Sequence, residues 1–133
     1  MTLFLCKIVI DVRWLRWVRA GHDPALIYDP ETDSFDELAG IGLPLGVFED
    51  SRYQTLTREI KPGQIFAIGT DGIWETTNAQ GQPFGKARFK DVIQAHPSES
   101  AAKILTRVIN AVDGFAGNSE KSDDVTLVII KIV

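Results

Sequence analysis

The stretch that decides the fold is Gln64 to Thr76, QIFAIGTDGIWET. Its apolar run, Ile65 to Ile68, predicts a buried strand. The strand ends at Gly69-Thr70, and Asp71-Gly72 follows at once, before a short helical turn over Ile73 to Thr76. A buried strand that ends in an aspartate beside a glycine can place a carboxylate at the mouth of a site. Asp-Gly is also a common turn dipeptide, and on this stretch alone a turn is the better interpretation.

Composition limits the class of protein. The chain has 133 residues, of which 44% are hydrophobic, and this predicts one domain with a real core. A net charge of −4 argues against a nucleic-acid partner. The single cysteine, Cys6, allows no internal disulfide and favours a reducing cytoplasm. The apolar run at residues 1–10 contains Lys7 and is too short to span a membrane, so no membrane segment is expected.

The first half of the chain indicates antiparallel strands. Leu3 to Ile10 is almost continuously apolar, which predicts a strand covered on both faces. Trp14 to Arg19 alternates large apolar and basic residues, which is typical of a strand with one wet face. These two strands form a predicted hairpin. Further strands are predicted at Ala25–Tyr28, Ser34–Leu38 and Tyr53–Ile60.

The second half of the chain changes to helical periodicity. Phe89, Val92, Ile93 and His96 fall on one helical face. A second helix is expected to begin with Ser98 as its N-cap and to end at Gly114, and a last strand, from Val125 to Val133, should be buried within a sheet. This order predicts an α+β fold, in which a mostly antiparallel sheet carries helices on one face.

A second acidic segment, Ser122-Asp123-Asp124-Val125-Thr126, opens the last predicted strand. Folding could bring it next to Asp71. Carboxylates without neighbouring cysteines or paired histidines suit hard divalent cations such as Mg²⁺ or Mn²⁺. The alternative is that Asp123 and Asp124 only solvate a loop end.

Several motifs in a fixed order resemble one protein family. They are RAGHDPALIYD, GLPLGVFED, KPGQIFAIGTDG, TDGIWET, QPFGKARF and SDDVTLVII. Together they resemble the metal-dependent Ser/Thr protein phosphatases of type 2C, and in particular the bacterial SpoIIE-like branch. The resemblance covers the whole chain, so residues 1–133 are interpreted as the C-terminal portion of a SpoIIE-type phosphatase domain.

The resemblance implies an α-β-β-α sandwich with a two-metal site and hydrolysis of phosphoserine or phosphothreonine by metal-activated water. Asp71 and Asp123 match metal ligands of the family, and Asp124 is a further candidate. Gly21-His22 matches the Ala-Gly-His motif of the bacterial branch, which makes His22 a candidate catalytic residue; alternatively, His22 only bonds a turn backbone. Gly21 and Gly72 are expected near the site.

One departure from the family is important. Nothing in the chain matches the early Asp-Gly motif whose aspartate bridges both metals in the family. We therefore expect a truncated, inactive piece of the domain that pairs with another copy as a homodimer. The implied substrate of the parent protein is a phosphorylated regulatory protein, such as an anti-sigma-factor antagonist. The alternatives are a non-catalytic interaction module with the phosphatase fold, and a hydrolase of small phosphate esters.

Overall fold

The computed structural model describes residues 1–119 and 123–133. Seven strands and three α-helices form in these parts of the chain, besides a short 3-10 helix at Ile10–Val12. In order they are β1 (Leu3–Val9), β2 (Trp14–Ala20), β3 (Ala25–Asp29), β4 (Ser34–Leu38), β5 (Leu56–Glu59), β6 (Ile65–Gly69), α1 (Asp71–Trp74), α2 (Gly85–Gln94), α3 (Ala101–Ala116) and β7 (Leu127–Lys131).

The strands form two antiparallel sheets. Strands β1, β2 and β5 make a three-stranded sheet, in that spatial order, and the four-stranded sheet has the order β4-β3-β6-β7. One hydrophobic core, which includes Leu15, Ile27 and Phe66, lies between the two sheets. A second core lies between the four-stranded sheet and the helices, and it includes Phe89 and Ile104. The molecule is therefore layered as sheet, sheet and helices, which confirms the α+β prediction.

Alternation along the strands explains these layers. In β3, Leu26 and Tyr28 face the helices, while Ile27 faces the other sheet, so the strand is buried on both sides. Strand β6 shows the same division, because Ile65 and Ala67 join the helix-side core and Phe66 joins the inter-sheet core. The predicted burial of β6 is confirmed.

Helix α3 begins and ends later than the sequence suggested. Its N-cap is Ser100, whose Oγ accepts a hydrogen bond from the Lys103 amide, so the assignment of Ser98 was wrong. The helix also continues past Gly114 to Ala116, and its C-cap is Gly117 with a positive φ of 58°. Both shifts follow from local competition: two serines lie two residues apart, and packing of the apolar stripe carries the helix through an interior glycine.

Three strand predictions also need correction. Strand β1 alternates between exposed and covered residues, with Leu5 59% exposed, so it is not covered on both faces. Strand β5 is limited to Leu56–Glu59, because residues 39–55 form a long loop. Strand β7 stops at Lys131 and pairs only with β6 among the described strands, so it lies at an edge and not inside the sheet.

The glycine-rich loop over residues 40–46 is held by close backbone packing. The Gly42 carbonyl accepts a hydrogen bond of 3.0 Å from the Gly21 amide. A Cβ on Gly42 would lie 2.1 Å from the Arg19 carbonyl oxygen, which no other side chain could tolerate without a shift. The loop is thereby fixed against the turn that follows β2.

Candidate active site

Strand β6 delivers Thr70 and Asp71 to one end of the four-stranded sheet. There Thr70 joins the segment before β7: its amide donates to the Thr126 carbonyl at 3.1 Å, and its Oγ1 accepts from the Thr126 amide at 3.1 Å. The same hydroxyl lies 3.3 Å from the Asp124 carbonyl oxygen, to which it can donate. The second acidic segment is therefore held beside Asp71, an arrangement that the sequence had left open.

Gly72 makes this approach possible. A Cβ at this position would lie 2.3 Å from the Asp124 carbonyl oxygen and 3.6 Å from that of Asp123. Any side chain here would push the acidic segment away from the end of β6. The glycine of the Asp-Gly pair thus has a packing reason.

A second turn, between β2 and β3, faces the same end of the sheet. Gly21 has a φ of 70°, which suits glycine, and His22 follows it. Arg19 fixes this turn because its Nε donates to the His22 carbonyl and its Nη1 donates to the Gly40 carbonyl at 3.0 Å. The guanidinium of Arg19 is therefore used to hold backbone.

The tautomer of His22 follows from its hydrogen bond. Its Nδ1 lies 2.8 Å from the Asp23 carbonyl oxygen, which can only accept, so Nδ1 carries the proton. In the neutral ring, Nε2 then has the lone pair, and it forms no hydrogen bond to residues 1–119 or 123–133. His22 therefore bonds a turn backbone, which is the alternative interpretation given above, and its Nε2 also remains available.

The turn after β2, the end of β6 and Thr2 surround an open cleft of about 120 Å³. Its lining residues are Thr2, Gly21, His22, Asp23, Gly69, Thr70 and Asp71. The structure thus brings together Asp71, Gly21 and His22, three of the residues singled out in the sequence. Asp123 and Asp124 are not among the lining residues, and their carbonyl oxygens lie next to Gly72. Ser122 falls outside the described residues.

The free carboxylate oxygens of Asp71 and Asp123 decide whether a divalent cation could bind here. One oxygen of Asp71 accepts from the Gly72 amide at 3.1 Å, and one oxygen of Asp123 accepts from the Asp124 amide at 2.8 Å. Each carboxylate keeps its other oxygen for a ligand. Within the described parts of the chain, no three His, Cys, Asp or Glu residues form a metal-binding group. The residues fit a largely hydrated Mg²⁺ or Mn²⁺ held by one or two carboxylates, and they do not form a complete cage.

Sequence reasoning missed two members of this region. Asp23 lines the cleft directly. Its position next to His22 in the sequence was a signal that could have indicated it. Lys86, from the first turn of α2, forms an ion pair of 3.0 Å with Asp23. The two residues are 63 positions apart, so only the tertiary structure could reveal this pair.

Solved structures of other proteins share this fold. The SiaA-PP2C domain of Pseudomonas aeruginosa superposes with a TM-score of 0.83 at 21% identity, over 98% of this chain and 51% of that domain's chain. The phosphatase domain of SpoIIE from Bacillus subtilis, in crystals presoaked with Mn, gives a TM-score of 0.72 at 17% identity, over 98% of this chain and 56% of the other. The fold is that of the PP2C-type phosphatases.

The family itself is identified from sequence. The family model described as Stage II sporulation protein E (SpoIIE) matches residues 1–133, and the chain belongs to this family. It is also 22% identical over 131 residues to the phosphoserine phosphatase RsbU of Bacillus subtilis strain 168, which covers 98% of this chain and 38% of RsbU. The resemblance stated from the motifs is confirmed. The chain spans well under half the length of this relative.

The helices bear on membrane association. No helix in residues 1–119 or 123–133 combines the length and the apolar character that crossing a bilayer requires.

Proposed function

We propose that the protein carrying this chain hydrolyses phosphoserine or phosphothreonine on a regulatory protein, with Mg²⁺ or Mn²⁺ as cofactor. The observation that supports this most is the contact between Thr70 and Thr126, which holds two acidic segments together beside a cleft that also contains His22. A carboxylate-lined cleft of this kind suits chemistry on a phosphate ester.

The site residues have distinct roles in this proposal. Asp71 and Asp123 hold the metal, and Asp124 is a further ligand. When bound, the metal supplies positive charge for the phosphoryl group and lowers the pKa of a bound water. Thr70 and Gly72 keep the two acidic segments at their observed separation. His22 presents Nε2, where it can accept or hold a proton.

The substrate and the assembly extend the proposal. RsbU carries the name phosphoserine phosphatase, and so does RsbP of the same organism, which is 23% identical over 98% of this chain. By this likeness, the substrate is a phosphorylated protein of a signalling pathway in the cytoplasm, such as an anti-sigma-factor antagonist. In a homodimer, a second copy would cover the exposed outer face of the three-stranded sheet, where Leu5 and Trp14 lie.

The test combines metal binding with turnover. Calorimetric titration of the protein with Mn²⁺ should show binding that the Asp71→Asn variant loses, and release of phosphate from a phosphoserine peptide should fall at least about 100-fold in that variant, a typical effect of a metal ligand. Asp11→Asn is the matched control, because Asp11 lies in the connection between β1 and β2, at the opposite end of that hairpin from Thr2 and Gly21. Equal turnover in the wild type and Asp71→Asn would contradict the proposal.

A second candidate is a non-catalytic interaction module, in which residues 1–133 are a truncated and inactive form of the domain. The observation in its favour is that no group of three metal-binding side chains forms within residues 1–119 and 123–133. If a polypeptide of residues 1–133 folds but neither binds Mn²⁺ nor releases phosphate, this candidate describes the chain. Mn²⁺-dependent turnover by the same polypeptide would exclude it.

A further inference from the structure

Lys86 occupies an unusual position at the rim of the cleft. Its Nζ lies 3.0 Å from Oδ2 of Asp23, which lines the cleft, and 4.6 Å from the centre of the Trp74 ring. Trp74 closes α1, the helix that starts at Asp71. The ammonium group is thus held between the turn after β2, which carries Asp23, and α1, which carries Trp74. The side chain of Lys86 remains 43% exposed.

Helix stability does not explain a lysine here. Lys86 is in the first turn of α2, where the helix dipole and the unpaired amides disfavour a positive charge. No acidic residue occupies that first turn, and no side chain caps it. A cation at this end of a helix is stabilised only by groups outside the helix, in this case Asp23 and the Trp74 ring.

The charge of the cleft shows what the ammonium can do. The lining contains two carboxylates, Asp23 and Asp71, and a phosphate ester that enters it carries negative charge as well. Two other cations lie beside this lining. The guanidinium of Arg19 is engaged with two backbone carbonyls, and the N-terminal ammonium of Met1, next to Thr2, donates to the Leu45 carbonyl at 3.1 Å. Lys86 instead pairs with the partly exposed carboxylate of Asp23. A surface ion pair of this kind is weak, so the ammonium can exchange Asp23 for another anion.

We propose that Lys86 binds the phosphate group of the substrate at the rim of the cleft, and that it leaves Asp23 and the Trp74 ring to do so. This inference rests on the proposed function and adds a residue that contacts the substrate. A lysine on a flexible stem suits this exchange because its three N–H donors can swap a carboxylate for a phosphate oxygen by rotation. Asp23 holds the ammonium in place while the cleft is empty.

The first test is steady-state kinetics on the full protein with Mg²⁺ and a phosphoserine peptide. Lys86→Gln should raise KM about tenfold, the effect of one charge-assisted hydrogen bond, and should leave kcat within about twofold. Lys86→Arg should restore most of the affinity. A purely structural role would instead lower the thermal midpoint and leave KM unchanged.

Lys90→Gln is the matched control. Lys90 lies one turn further along α2, 5.6 Å from the Phe35 ring and 4.0 Å from a Glu37 oxygen, so it has the same kinds of partner as Lys86. None of these residues lines the cleft. Its KM should match the wild type, and an equal rise of KM in both variants would overturn the proposal.

A second measurement does not need turnover. Titration with inorganic phosphate in the presence of Mg²⁺ should change the tryptophan fluorescence as Lys86 leaves the Trp74 ring, and the change should disappear in Trp74→Phe. Lys86→Gln should lose this fluorescence change, and calorimetric titration should show that it binds phosphate about tenfold more weakly than the wild type. Equal phosphate affinity in the wild type and Lys86→Gln would overturn the assignment of Lys86. If the wild type has no phosphatase activity but Lys86→Gln still weakens phosphate binding, the proposed function fails and the anion site remains.

Discussion

The two sheets of this molecule differ in what covers them. The four-stranded sheet is covered on one face by α2 and α3 and on the other by the three-stranded sheet. Among residues 1–119 and 123–133, the three-stranded sheet packs through its inner face, and its outer face shows Leu5 at 59% exposure and Trp14 at 43%. The strand sequences follow this contrast only in part. Strand β2 alternates apolar and basic residues, and β3 and β6 are apolar on both faces. Strand β1 is almost continuously apolar and still has one open face, so for β1 the contrast comes from the neighbours.

The same contrast separates the two sides of the cleft, which are packed to different degrees. Asp71 follows β6, which has a partner strand on each side and packed residues on both faces. His22 follows β2, which also has two partner strands but belongs to the sheet with one open face. The carboxylate side of the cleft is therefore anchored in the doubly covered layer, and the histidine side depends more on local bonds such as those of Arg19.

The largest expected effect is in the helix-side core. Phe89 is 1% exposed and packs 6.1 Å from the Trp74 ring, so Phe89→Ala should destabilise the fold by about 3–5 kcal/mol. Leu5→Ala, on the open face, should change stability by less than about 0.5 kcal/mol. Urea unfolding of both variants measures the contrast. Similar losses in the two variants would mean that the outer face is covered in solution.

A smaller effect is expected where β6 meets the acidic segment. A methyl group at position 72 would lie 2.3 Å from the Asp124 carbonyl oxygen, so Gly72→Ala should cost about 1–3 kcal/mol and weaken Mn²⁺ binding. Gly114→Ala is the control, because Gly114 lies within α3 and nothing is within 4 Å of its added Cβ. This control should be about 0.4–1 kcal/mol more stable than the wild type. Stabilisation by both substitutions would contradict the close packing at Gly72.

The smallest effect concerns the other end of β6. There the Nε2 of buried Gln64 donates to Asp29 Oδ2 at 2.8 Å, and this hydrogen bond lowers the pKa of Asp29 below its ordinary value of 3.8. The stability that follows is complete above pH 3.8 and is lost as pH falls through the lower folded pKa.

Asp29→Asn should therefore be less stable than the wild type at neutral pH, and the gap should narrow in acid. Urea unfolding at several pH values tests this, with Asp11→Asn as the control that should show no such gap. A gap that is independent of pH would mean that the carboxylate charge has no part in the contact.

Much of this fold follows from local sequence patterns. Pro62 and Gly63 predict a type II turn after Lys61, and Gly63 indeed has a φ of 88°. Periodicity also predicts β6 and α3. The open face of β1 could not be predicted, because an apolar run does not state how many layers will cover it. The N-cap of α3 was missed because Ser98 and Ser100 satisfy the same local rule.

The site divides in a similar way. Asp71, Gly72 and His22 lie in short motifs, and a pattern of neighbouring residues can indicate them. The contact of Thr70 with Thr126 spans 56 positions, and the ion pair of Lys86 with Asp23 spans 63. Such pairs depend on the register of strands and on the direction of a helix, which no local pattern specifies.

The close fit of Gly42 against Arg19 has a consequence for how this surface can vary. A side chain at position 42 meets backbone, and one at position 21 meets the ring of Pro44 at 2.5 Å. Ile41 and Leu43, which flank Gly42, point largely into solvent at 81% and 52% exposure. The loop can therefore diversify at its exposed positions while the two glycines keep its anchor unchanged. A new contact surface can evolve here, beside Gly21 and the turn that carries His22, without rebuilding that turn.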